Sequence, residues 1–307
     1  MNPLGVLQGM LTLIAATFLG VLVANILISL GYIEKVGFLL VPVMRAAGLP
    51  RQLSFPAVVG IIDGRAEHSI VSSYMRQSRI GEAEVLAYNL VTTPLAVIFY
   101  LYRYYLPIYI ASLGLIVGGI YVLLSFISSL VAFTLGVIYG RLKVRSKDML
   151  VEGYSERLKE RRFRDCLRIA VSTTIYITKR YIVITIVLLV LDNIGIFSQM
   201  KLLLKAARIP VSPQGLAIVT TQVASPTAGV LMAGELLKSS SITTKEALIA
   251  LILGRFLFLI SQDYPRASFP FYASMYPVST ATKLVLFSAL ATFISTPLCI
   301  LLVNILL

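Results

Sequence analysis

The sequence predicts an all-α, polytopic membrane protein made of two inverted repeats. Each repeat should hold a transmembrane helix, an interfacial helix, a re-entrant helical hairpin and two further transmembrane helices. Three observations predict this. The 307-residue chain is 58% hydrophobic and only 13% charged, whereas a water-facing domain carries about 25% charged residues. Several apolar runs reach the ~20 residues that cross a hydrocarbon core. The order of unlike features in the first half also recurs in the second.

The first repeat, 1–140, opens with an apolar run at about 8–32. MNPLGVLQGMLTLIAATFLG has no basic region ahead of it, so it reads as a retained span rather than a cleaved signal. The amphipathic run EKVGFLLVPVMRAAG, 34–48, has the length and patterning of an interfacial helix. Residues 53–75 form an apolar segment interrupted by DGRAEHS, and each piece is too short to cross a bilayer. The phrase RIGEAEVL, 79–86, leads into apolar spans at 83–103 and 108–140. The tyrosines of YLYRYYLPIY, 100–109, sit at a span's end, where an aromatic belt is expected.

A basic stretch, 141–168, follows with ten Lys/Arg and five Asp/Glu; it reads as a cytoplasmic linker helix. The second repeat, 169–307, restates the order. An apolar run at 181–197 comes after Lys179 and Arg180, then an amphipathic run at 198–209. An apolar segment broken by ASPTAG at 224–229 follows, then SITTKEALI at 241–249, then spans at about 246–263 and 283–306. Pairing Ile80 with Ile242 and Glu84 with Glu246 sets an offset of 162, which places Asp63 opposite Ser225.

The broken segments decide orientation. If each is a hairpin that enters and leaves on one side, its bent backbone must be covered by protein or line a wet cavity. Each repeat then crosses three times, and an odd number makes the copies antiparallel. With the N-terminus outside, seventeen of the 27 Lys/Arg fall on the cytoplasmic side and six on the outer side, in keeping with the positive-inside rule. The net charge of +13 therefore belongs to loops, and nucleic acid is not an expected partner.

Candidate site residues follow from the cost of polarity in lipid. A charge at bilayer depth costs roughly 2.5–3.5 kcal/mol even on the lenient insertion scale. Asp63, Arg65, Glu67 and His68 fall within six positions, and His68 is the only histidine. Together they read as the lining of a polar cavity, with His68 able to carry a proton near neutral pH. The bland alternative is a short solvated loop. Thr221, Gln222, Ser225 and Thr227 form the opposing break, where Pro226 lacks an N–H and Gly229 permits a tight turn. Asn89, Thr92 and Thr93 precede the kink-prone Pro94. Arg255, in the middle of LIALILGRFLFLI, needs a partner; Asp63, Glu67 and Asp192 are the internal candidates. One histidine and the unrelated cysteines Cys166 and Cys299 exclude a His-rich metal site and a disulfide framework. Without a GxSxG, HExxH or P-loop, no enzyme activity, catalytic residue, metal or cofactor is expected.

The stretches GYIEKVGFLLVPVMRAAGLP and QVASPTAGVLMAGELLKSSSIT resemble the Gate, or nucleoside recognition, membrane domain. Spore maturation proteins and the membrane part of the ferrous iron transport protein B share that domain, and concentrative nucleoside transporters do so more distantly. The resemblance covers nearly the whole chain outside the linker. It differs in the first hairpin, where DGRAE stands in place of small residues, and no soluble nucleotide-binding domain is present. The resemblance implies two hairpin tips meeting near the midplane around a solute. Free helix termini at such tips suit a solute or ion.

The expected function is a secondary transporter or permease in the cell membrane, multi-pass, for a small polar solute. That solute would be nucleoside-like or an organic anion, with H⁺ or Na⁺ coupling. The alternative is a non-transporting membrane scaffold resembling spore maturation proteins. Expected partners are a small-molecule or ion substrate, the lipid bilayer, anionic lipids at 141–168, and further copies of the chain in a homo-oligomer.

Overall fold

Local turn chemistry in the two halves produces the same stops at the same spacing. The computed structural model describes residues 14, 18, 19, 22, 26, 38–61, 64–144, 163–193 and 211–307. Most of the predicted first span, Asp63, most of the basic linker and the amphipathic run 198–209 lie outside the described residues. Every regular element among the described residues is helical. In chain order these are α1 (Val41–Ala46), α2 (Ser54–Gly60), α3 (Gly64–Arg76), α4 (Glu82–Val91), α5 (Thr93–Tyr100), α6 (Ala111–Lys143), α7 (Phe163–Asn193), α8 (Pro213–Ala224), α9 (Pro226–Lys238), α10 (Thr244–Phe258), α11 (Phe269–Met275) and α12 (Val278–Leu306). Wider π-type turns, Leu101–Ile110 and Leu259–Ser268, lead into α6 and α11.

Both ends of α3 and α9, and the starts of α4 and α10, differ by 162. The turn between them recurs too. Ser78 and Ser240 take left-handed φ of 54° and 55°. Arg79 N donates to Tyr74 O at 3.1 Å, and Ser241 N to Leu236 O at 2.9 Å. Ser78 N donates to Met75 O and Ser240 N to Leu237 O, both at 3.0 Å. Each is a Schellman stop, which satisfies the last carbonyls of the helix. The matched glutamates engage different helix starts. Glu84 Oε2 accepts from Gly81 N at 2.9 Å, while its counterpart Glu246 accepts from Ser212 N at 3.1 Å.

Both predicted hairpins are broken helix pairs whose arms pack on each other, α2 on α3 and α8 on α9. In the second, Ser225 leaves the helical region (φ −154°, ψ 112°) and its hydroxyl accepts from Ala228 N, with Pro226 opening α9. The span predicted at 83–103 is bent by 43° between α4 and α5. Pro94 removes an N–H there, while Thr92 and Thr93 donate back to Tyr88 O and Asn89 O at 3.1 and 3.2 Å, a combination that bends helices. The boundary predicted at 168 falls inside α7, which runs continuously over 31 residues.

The described residues form two compact units that interleave along the chain. The first takes Met1–Phe99, Phe133–Val187 and Pro270–Leu284; the second takes Tyr100–Ala132, Leu188–Phe269 and Val285–Leu307. In the first unit, Phe55, Leu53, Leu86, Tyr88, Leu90 and Tyr276 form a buried core. The end of α6 rests on α1, because a side chain at Gly140 would collide with Ala47 O, and Arg141 Nε donates to Ala46 O at 2.7 Å. In the second unit, α8 and α9 pack on α10 around Ile218, Val230, Leu248 and Leu251.

Among the described residues, Tyr104–Lys143 and Val278–Leu306 are long and apolar enough to cross a membrane, and the bent pair α4–α5 makes a third if it is one span. Only 28% and 22% of the two apolar windows are buried within the protein. Leu115, Ile116, Leu123, Leu286, Phe293 and Leu301 all face outward. An apolar face of that size needs lipid or protein over it, which makes this a helical membrane protein.

Candidate functional site

Each unit buries a polar cluster beside its broken helix pair. In the first unit, the cluster begins at the start of α3. Glu67 is 7% exposed, and its Oε1 accepts from the Tyr88 hydroxyl of α4 at 2.7 Å. The carboxylate fits against α2 because Gly60 has no side chain; a Cβ there would collide with Glu67 Oε2. His68 is 6% exposed, with Nδ1 2.9 Å from the Tyr276 hydroxyl, which also lies 3.2 Å from His68 O. Phe271, Tyr272 and Tyr276 meet the imidazole edge to face, at centroid distances of 5.7, 5.0 and 5.9 Å. Tyr272 donates to Asn89 Oδ1 at 3.0 Å. The segment FPFYASMY, 269–276, thus joins two predicted residues, His68 and Asn89, and the Glu67–Tyr88 pair adjoins them in sequence on α3 and α4. Its sequence signal was Tyr272 and Tyr276 four apart, which puts both on one helical face.

The second cluster lies between α10 and the first part of α6. Arg255 is half-buried. Its Nη1 donates to Ser125 Oγ at 2.8 Å and to the Tyr105 hydroxyl at 3.3 Å. The Tyr121 ring packs against those of Tyr105 and Tyr109 in the same cluster. Tyr105, Tyr109 and Tyr121 are 4%, 9% and 2% exposed, with ring centroids 5.1 to 6.4 Å apart. Gln222 is fully buried and fixed between α9 and α10. A Cβ at Gly229 would collide with it, and one at Gly254 would lie 2.6 Å from its Oε1.

Two expectations change. Arg255 does not pair with Glu67 or any other carboxylate among the described residues; neutral hydroxyls meet it instead. Asp63 lies outside the described residues, as does the side chain of Asp192. Of the tyrosines read as an aromatic belt at 100–109, Tyr100 and Tyr104 are exposed, but Tyr105 and Tyr109 turn inward. That belt reading rested on a span's end, whereas the π-type turn carries these rings around toward Tyr121.

The remaining predicted residues are more dispersed. Arg65 is half-buried in the first turn of α3. The hydroxyls of Thr92 and Thr93 are engaged by their own helix. Thr221 Oγ1 contacts Met232 Sδ across the hairpin at 3.3 Å. Ser225 caps α9 with an exposed side chain, and Thr227 is half-buried in its first turn. Among the described residues, no group of three or more His, Cys, Asp or Glu could hold a metal ion.

No family model matches the chain, and no solved structure does. Three proteins of the archaeon Methanocaldococcus jannaschii, each described as uncharacterized, are similar to it along most of its length. One is 23% identical over 280 residues, covering 89% of this chain and 86% of its own. A second is 21% identical over 86% of this chain and 87% of its own, and a third 23% over 91% and 89%.

Proposed function

We propose that this chain is a multi-pass permease of the cell membrane for a small polar solute, nucleoside-like or an organic anion. Its two halves would be inverted Gate-like repeats, and H⁺ or Na⁺ would drive transport. The observation that carries this reading is the pair of broken helices at matched positions, each flanked by buried polar side chains in an otherwise apolar chain. Polar and ionisable groups at membrane depth are costly, and they mark solute and ion paths. Broken helices are the usual place for such sites in secondary transporters. The Glu67–Tyr88 and His68–Tyr276 pairs supply exchangeable protons in the first unit, and Arg255 supplies a fixed positive charge in the second.

The test is uptake of labelled uridine and labelled L-lactate into proteoliposomes holding the full chain. Uptake above empty vesicles is expected for one of the two. Glu67→Gln should reduce it about tenfold, equivalent to the ~1.4 kcal/mol of one charged hydrogen bond. Uptake of neither solute would favour a membrane scaffold resembling spore maturation proteins, for which the hairpin residues would tolerate change.

A further inference from the structure

The guanidinium of Arg255 has five N–H donors, and the hydrogen bonds to Ser125 and Tyr105 leave from Nη1 alone. Among the described residues no carboxylate pairs with it. Asp263, the carboxylate whose charge Arg255 feels, is held by Ser268 Oγ at 2.6 Å. A cation inside a membrane protein needs a counter-charge, and hydroxyls offer only dipoles. Nε and Nη2 form the fork that matches the two oxygens of a carboxylate.

Gln222 points to the same ligand independently. It is 0% exposed, and neither Nε2 nor Oε1 makes a hydrogen bond within the protein. Buried amides are otherwise almost always satisfied. Gly229 and Gly254 leave Gln222 little room to turn, and Gly254, against which its Oε1 lies, directly precedes Arg255 on α10.

We propose that the second unit binds a monocarboxylate, with Arg255 gripping its oxygens, Gln222 Nε2 donating to one of them, and Tyr105, Tyr109 and Tyr121 walling its apolar body. One guanidinium offers one positive charge, so a monocarboxylate matches it better than a phosphate dianion. The three clustered tyrosine rings present apolar surface to a carboxylate's carbon skeleton. The inference rests on the permease reading and names the solute class for its second cluster.

The test is titration calorimetry of the purified full chain in detergent with acetate, L-lactate, benzoate, inorganic phosphate and uridine. Binding of at least one carboxylate is expected, tighter than phosphate or uridine. Gln222→Glu, which keeps the shape but adds a negative charge, should weaken it at least about tenfold, as should Arg255→Gln. Unchanged thermal unfolding of Gln222→Glu would show that the loss is not misfolding. No carboxylate binding, preference for phosphate or uridine, or wild-type affinity in Gln222→Glu would each overturn the proposal. Carboxylate binding without uptake would sink the permease reading alone, and uridine uptake without carboxylate binding would sink the monocarboxylate alone.

Discussion

Glu67 is tolerated inside an apolar hairpin because Gly60 leaves room for its carboxylate and Tyr88 donates to it. The sequence exposed the first half of that statement: a carboxylate in an apolar segment must find a partner. It could not name Tyr88, because one tyrosine among sixteen carries no local mark of what it will touch. Gly60→Ala should therefore destabilise the protein by about 1–3 kcal/mol through overpacking, seen as a lower unfolding temperature in detergent. Gly119→Ala, where an added Cβ meets nothing within 4 Å, is the control and should leave that temperature unchanged or higher. Equal behaviour of the two variants would mean that Glu67 does not occupy the space beside Gly60.

Helix ends were the most legible feature at the level of elements. Pro94 and Pro226 marked interruptions, because a proline acts on backbone groups within a few positions of itself. The Schellman stops at Ser78 and Ser240 were not read, since serine has no special liking for positive φ; their 162-residue spacing emerges only from the backbone. Glycine at either position removes that strain, so Ser78→Gly and Ser240→Gly should each stabilise the protein by roughly 0.5–1 kcal/mol. Matched shifts in unfolding temperature are the expected result, and opposite signs would contradict equivalent turns. The long helix α6 shows the limit of reading by hydropathy: Gly114 (φ 81°, ψ 165°) breaks it, although glycine in an apolar span is common and passes without notice.

For the molecule as a whole, the proposed inverted repeats place Ser78 and Ser240 on opposite sides of the membrane. Ser78→Cys and Ser240→Cys, each in a background lacking Cys166 and Cys299, should react with a membrane-impermeant maleimide from opposite faces of sealed vesicles. Labelling of both from one face would rule out the inverted arrangement. The sequence by itself determined the membrane class, the helical content and the helix breaks at Pro94 and Pro226, though not the one at Gly114. Those follow from composition and from interactions within one or two turns. Only the tertiary structure decided that His68 meets Tyr276, 208 positions away, and that hydroxyls rather than carboxylates surround Arg255. Such partners are chosen by how helices pack, and packing between distant segments leaves no periodic trace in the chain.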